Sequence, residues 1–331
     1  MAEMMLDAIA PVTNYDVGLA WNWEFDADFA LLFEQTCQAQ GVSLLKITAE
    51  NIVAVAHAFL KRQLALQVFV DRASDTDLRF LPIAQWAREY ARYRINPHEK
   101  ALRTWDKTTM HLALVAAGLR VPYTIILPSY NAQPQLPAID LSPLGARFII
   151  KPSHGGGGDG VLMEVTALAQ VLAARQDYPA DKYLLQFHVA PVQLGTRPAW
   201  FRVIWCAGQI YPCWWDMQTH LYARITAEEE QIYALSALRA MTAKIAHLCE
   251  LDLFSTEIAL IADGQFVVVD YVNDQIDLRL QSKTPDGVPD ELVQTIVAGL
   301  VKLIGSHRQP APAEKLYNII QQPEPQPEPQ P

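Results

Sequence analysis

Five of the fifteen glycines in the chain fall between Gly155 and Gly160, directly after Lys151-Pro152-Ser153-His154, a local demand for bare backbone that background composition does not explain. Glycine lets main-chain N–H groups approach an anion closely and takes up positive φ without penalty. With the Lys151 ammonium beside it, such a loop suits a phosphate. Strand-like runs flank the loop, Arg147 to Lys151 before it and Val161 to Val165 after it, so the glycines cap a hairpin. Gly155, Gly157 and Gly160 also satisfy G-x-G-x-x-G, but a dinucleotide fold needs a helix directly after that loop and an acidic residue about twenty positions on. Protein kinases need H-R-D and D-F-G elements downstream, which are absent, and no glycine is followed by Lys and Ser or Thr as in a P-loop.

The second feature is a pair of acids. Phe254 to Ile261 and Gln265 to Tyr271 are apolar β-rich runs on either side of Asp263-Gly264, a strong hairpin signal. A two-residue turn that pairs Ala262 with Gln265 puts Ile261 opposite Phe266, Ala259 opposite Val268 and Glu257 opposite Asp270. Side chains so opposed lie about 4.5 to 5.5 Å apart at Cβ, where like charges are destabilising. Either one carboxyl holds a proton or a cation sits between them. Magnesium holding nucleotide phosphates is the simplest such cation, because it takes one or two carboxylates plus phosphate oxygens. A register one residue away would instead turn both acids to water. If a cation reconciles the charges, removing either acid is expected to relieve repulsion in the metal-free protein.

The rest of the chain must position these groups. Half of its 331 residues are hydrophobic (51%) and 19% are charged, enough apolar material for two or three packed units. Before residue 96 the pattern reads βαβαβ: Val17 to Ala20, Asp28 to Gln40, Ser43 to Ile47, Ala49 to Leu64 and Gln67 to Val70, then a helical stretch from Ala84 to Ile95. Helices are expected through Lys107 to Gly118, near Thr166 to Arg175, over Ala227 to Cys249 and near Pro289 to Ile304. Strands are expected at Tyr123 to Leu127, Lys182 to Val189, Ala199 to Cys206 and Gln209 to Trp215. The tail QQPEPQPEPQP is proline-alternating and polar, so it is expected to be solvated chain.

A net charge of -10 argues against a nucleic-acid partner. The absence of an eighteen-residue apolar run and of a basic leader argues against a membrane and for a cytoplasmic protein. Cys37, Cys206, Cys213 and Cys249 lack zinc-site spacing and read as buried thiols. Trp214 and Trp215 are neighbours on a strand and must face opposite ways, so at least one belongs to the core.

From about residue 100 to 305 the chain resembles ATP-grasp enzymes, particularly the glutathione synthetase and ribosomal-protein glutamate ligase branch. Five segments in order carry the likeness: DKTTMHLALVAAGLRVP, FIIKPSHGGGGDGV, YLLQFHV, WFRVIWCAGQIYP and FSTEIALIADGQFVVVDYVND. The resemblance implies an α/β protein with an N-terminal βαβ parallel-sheet domain (1–96) followed by a two-lobed ATP-grasp fold, its small lobe at 97–190, its large lobe at 191–308 and a flexible tail at 309–331. It implies ATP and Mg2+ or Mn2+ as cofactors. The implied activity is a ligase joining a small-molecule or peptide carboxylate to an amine or similar nucleophile through an acyl phosphate. A small-molecule kinase of the same fold, or a non-catalytic nucleotide-binding regulator, is the alternative, and a homodimer is allowed.

Carried over by position, Lys107 and Lys151 hold ATP phosphates, and Ser153, His154, Gly155, Gly156, Gly157 and Gly158 form a lid. Gln186, Phe187 and His188 meet adenine, Glu257, Asp270 and Asn273 bind the metal, Arg202 stabilises the transferring phosphoryl group, Arg279 binds an anion, and Arg224 contacts substrate. Two departures stand out. Relatives carry Glu-x-Asn where this chain has Asp270-Tyr271-Val272-Asn273, and PCWWDMQTHLYAR matches no substrate motif.

Overall fold

The computed structural model describes residues 12–308. The proline-rich tail and the first eleven residues lie outside them. The first sheet is the parallel one expected. Its strands are β1 (Thr13–Trp21), β2 (Leu44–Ile47), β3 (Leu64–Arg72) and β4 (Tyr93–Ile95), in the order β2-β1-β3-β4. Helices α1 (Ala27–Ala39), α2 (Ile52–Leu60) and α3 (Leu81–Tyr90) connect them. Alternation along β1 sends Val17 and Leu19 to the face shared with Phe29 and Phe33 of α1, and Ala20 to the face shared with Phe59 and Ile83. The expected helix from Ala84 to Ile95 stops at Tyr90, because Tyr93, Arg94 and Ile95 pair with Val68, Phe69 and Val70 at the open edge of β3.

Helices α4 (His98–Trp105) and α5 (Lys107–Ala116) lead into a four-stranded antiparallel sheet. Its strands β5 (Thr124–Leu127), β6 (Phe148–Pro152), β7 (Leu162–Val165) and β8 (Tyr183–Phe187) run in the order β5-β8-β6-β7, with α6 (Leu168–Asp177) against one face. The short pair β9 (Gln193–Leu194) and β10 (Arg197–Pro198) precedes the third sheet, ordered β13-β12-β11-β14-β15. This sheet holds β11 (Trp200–Cys206), β12 (Gln209–Trp215), β13 (Tyr222–Arg224), β14 (Leu253–Leu260) and β15 (Phe266–Asn273), interrupted by α7 (Ala227–Ile232) and α8 (Ser236–Cys249). The last helix is α9 (Asp290–Ser306).

The single long helix expected over Ala227 to Cys249 is two. The break carries no glycine or proline; Ala234 adopts φ 52° and Leu235 is fully buried, so core formation imposes the turn. One face of the third sheet packs on α9 and α1, the other on α5 and α8. Trp214 and Trp215 divide between these faces and are both buried. All four cysteines are buried free thiols. Among the described residues no helix is long and apolar enough to cross a membrane.

Asp26 and Arg72 fasten the first sheet to the segment after β15. The guanidinium meets both carboxylate oxygens, at 2.9 and 2.5 Å, and also donates to the Ile276 carbonyl at 2.9 Å. Both side chains are excluded from water. Removing one partner of such a pair strands the other charge, so Asp26→Ala is expected to lower unfolding stability by about 3–5 kcal/mol in a urea titration. A loss below about 1 kcal/mol would show that the pair contributes little.

Candidate active site between the two antiparallel sheets

The acid pair is present, but its register is reached by another route. The turn has three residues, with the Ile261 N–H donating to the Gln265 carbonyl at 3.0 Å, so Leu260 pairs with Phe266 and Ile258 with Val268. A bulge at Val269 then shifts the strand and sets Glu257 opposite Asp270. A second bulge comes next, placing the two residues Tyr271 and Val272 against Thr256 and bringing Asn273 opposite Ser255. This second bulge absorbs the extra residue between acid and amide, and the Asn273 side chain hydrogen-bonds Asp270.

Cations surround the acids. The Arg202 guanidinium donates from Nε to Ser255 Oγ at 3.1 Å, lies 3.6 Å from Glu257 and sits 4.7 Å over the Trp215 ring. Glu257 also accepts from Trp200 Nε1 at 3.0 Å. Lys151, on β6, is buried and reaches across to the bulged strand, where Nζ donates to the Val269 carbonyl at 3.3 Å. Lys107 opens α5 beneath Asp106, whose side chain accepts from the Thr108 and Thr109 N–H groups as an N-cap. Its own N–H donates to the Ser153 carbonyl at 2.8 Å and its ammonium to the Gly155 carbonyl.

These charges separate the two acids. Burial pushes Asp270 up, but Lys151, Lys107 and Arg202 outweigh it and hold the carboxyl below its ordinary range. Burial pushes Glu257 up, Asp270 pushes it further, and Arg202 offsets only part, so its carboxyl stays above the ordinary range. Burial, and then Lys107, lowers Lys151 against the pull of Asp270.

The glycine loop is open. Gly155, Gly157 and Gly158 take positive φ with no crowding, while at Gly160, φ 68°, a Cβ would fall 2.7 Å from the Tyr178 ring. Ser153 is not part of this open segment. It is buried at the foot of the loop, with Oγ donating to Asp106 and accepting from the Thr108 N–H at 3.1 Å. His154 is exposed and held by Asp181, whose oxygens lie 2.8 Å from its backbone nitrogen and 2.9 Å from Nδ1.

The structure thus brings Lys107, Lys151, Arg202, Glu257, Asp270 and Asn273 together. Gly155 and Ser153 meet this group through Lys107, and the remaining residues stand further out. Gln186 is buried on the Lys151 face of β8, with its Nε2 used by Tyr271 and Thr124. Phe187 points to the opposite face and is half exposed, and His188 lies just past the end of β8. Arg279 is engaged by Asp277 and Asp286 and lies 4.5 Å over Phe25, and Arg224 pairs with Glu291 at the surface. Tyr271, His111, Trp200 and Ser255 also belong to this neighbourhood, and no motif in the sequence marks them. Of the groups around Lys107, Asp106 had a legible signal, an N-cap acid directly before the helix.

Two antiparallel sheets facing each other across a glycine hairpin and a hairpin of acids, behind an N-terminal parallel sheet, are the ATP-grasp fold, and this chain has it. The ATP-grasp ligase PsnB, solved with minimal precursor, Mg and ADP, is 14% identical with a TM-score of 0.57, over 88% of this chain and 98% of that one. D-cycloserine synthetase DcsG is 17% identical with a TM-score of 0.56, over 87% and 99%. D-alanine–D-alanine ligase from Bacillus anthracis, solved with ATP, is 12% identical with a TM-score of 0.58, over 88% and 96%. No protein-family model matches the chain, and no curated protein is similar to it in sequence.

Proposed function

We propose that the protein is an ATP-dependent ligase that activates a carboxylate as an acyl phosphate and passes the acyl group to an amine or similar nucleophile. The observation that carries this reading is the convergence of Lys107, Lys151 and Arg202 on the Glu257–Asp270 pair under an open glycine loop. Similar folds solved with ADP and Mg or with ATP support it.

The donor set fits magnesium or manganese. Glu257, Asp270 and the Asn273 amide offer hard oxygen atoms on one hairpin, and the Asn273 nitrogen is already used by Ser255 O at 3.5 Å. Among the described residues no three or more His, Cys, Asp and Glu side chains are placed to hold a metal ion on their own, so the cation would be shared with phosphate oxygens. Bound there, it would neutralise charge on the terminal phosphates.

The chain's own groups account for the rest. Lys107 and Lys151 would hold the phosphates from the small-sheet side, and Arg202 would stabilise the phosphoryl group in flight as the substrate carboxylate attacks it. Trp200 and Ser255 fix the geometry of Glu257 and Arg202 before any ligand arrives. The glycine loop, free of side chains that could clash, would close over the acyl phosphate and exclude water.

ADP release measured over a panel of carboxylic acids and peptides, each with and without amines, tests this reading. Release that needs both an acid and an amine is expected. A stable phosphorylated product formed without the amine would instead mark a kinase.

A further inference from the structure

Tyr271 stands in the second bulge, between Asp270 and Asn273, and is 1% exposed. Its hydroxyl is 2.7 Å from Gln186 Nε2 on β8 and 2.6 Å from His111 Nδ1 on α5. An amide nitrogen only donates, so the tyrosine oxygen accepts from Gln186 and sends its own proton to His111. Burial, and then the Lys151 charge, hold His111 neutral with a pKa of about 4, which leaves Nδ1 able to accept. The ring of the same tyrosine lies 5.2 Å from Lys151 Nζ. A side chain of the acid hairpin is therefore locked to β8 of the facing sheet and to α5, and it underlies the ammonium contributed by β6.

We propose that Tyr271 is a positioning residue for Lys151: its ring seats the ammonium beside Asp270, and its hydroxyl, held between Gln186 and His111, keeps the ring in place across the cleft. The proposal rests on the reading of Lys151 as a phosphate-binding lysine. Lysine is a point charge on a four-carbon stem, so its location depends on what surrounds its tip. Here the tip has one backbone carbonyl, at 3.3 Å, and almost no water, since Lys151 is 7% exposed. An aromatic face within about 6 Å of a desolvated ammonium attracts it. The bulge that separates Asp270 from Asn273 thus does two jobs: it keeps acid and amide opposite β14, and it turns the tyrosine toward α5 and β8. Gln186 takes part as the donor that orients this tyrosine, which leaves its side-chain nitrogen committed to the protein.

The test varies the ring without varying its size, using calorimetric binding of ADP with magnesium to the full chain. Tyr271→Phe keeps the ring but frees it from Gln186 and His111, so it is expected to weaken ADP by about threefold and serves as the reference for the ring series, and an unchanged affinity in this variant would overturn the role of the hydroxyl. Fluorination of phenylalanine introduced at position 271, in one- and three-fluorine steps, depletes the ring face and is expected to weaken ADP stepwise, by at least about threefold at three fluorines. A purely structural tyrosine would not track the fluorine count, so equal affinities along the series in a protein that binds ADP overturn this inference alone. A wild-type protein that binds no ADP overturns it together with the nucleotide reading.

Discussion

Asp270→Asn and Glu257→Gln are both expected to lower turnover by about a hundredfold to a thousandfold, yet to move the stability of the metal-free protein in different directions. Asp270 faces Lys151, Lys107 and Arg202, and its carboxyl is held below the ordinary value of 3.8. Its charge therefore stabilises the fold above that pH and is lost as pH falls through the depressed value. Asp270→Asn removes the larger of the two carboxylate charges acting on buried Lys151 and is expected to cost about 1–3 kcal/mol at pH 7 in chelator. Glu257 is raised above its ordinary 4.5, so the folded state keeps a proton that the unfolded chain has released. Its effect is absent at low pH and turns unfavourable as pH rises from about 4.5 through the raised value. Glu257→Gln keeps an acceptor for Trp200 and is expected to equal or exceed wild-type stability, the advantage growing over that window. Melting curves in chelator from pH 4 to 8 read both signs. Equal stabilisation of the two variants, which opposed charges alone predict, would show that Lys151 does not compensate Asp270.

Lys151→Met is expected to weaken ADP binding by at least about thirtyfold, the effect of removing one partner of a buried charge contact. The lysine is nearly excluded from water and has no counter-ion to itself, since Asp270 is shared with Arg202 and Lys107. Such a group is held in place at a cost in desolvation, which a bound phosphate would offset. Calorimetry with ADP and magnesium reads the affinity, and an unchanged value would remove Lys151 from the phosphate site.

The acid pair was legible because Asp263-Gly264 marks the turn and the apolar alternation marks the strands, but the register was right at Glu257 and Asp270 for an incomplete reason. The three-residue turn moves the ladder by one and the bulge at Val269 moves it back, and neither event has a signal in strand periodicity. The parallel sheet was legible through its βαβ alternation, except at Tyr93 to Ile95, where an open sheet edge decided against helix. The glycine loop and its lysine were visible as composition. Tyr271, His111 and Gln186 were not readable as a group, because residues 160 and 85 positions apart meet only in the folded chain. The unmatched segment PCWWDMQTHLYAR supplies Trp215 beneath Arg202, a contact no motif would reveal.

In the proposed reaction a substrate carboxylate attacks the terminal phosphate of ATP at this site. With the acid that supports ADP release labelled with 18O in its carboxyl group, mass spectrometry of the inorganic phosphate formed tests it directly. The expected result is one 18O atom carried into phosphate for each acyl transfer, lost in Asp270→Asn together with turnover. Phosphate free of label in a protein that consumes the acid would contradict acyl-phosphate chemistry.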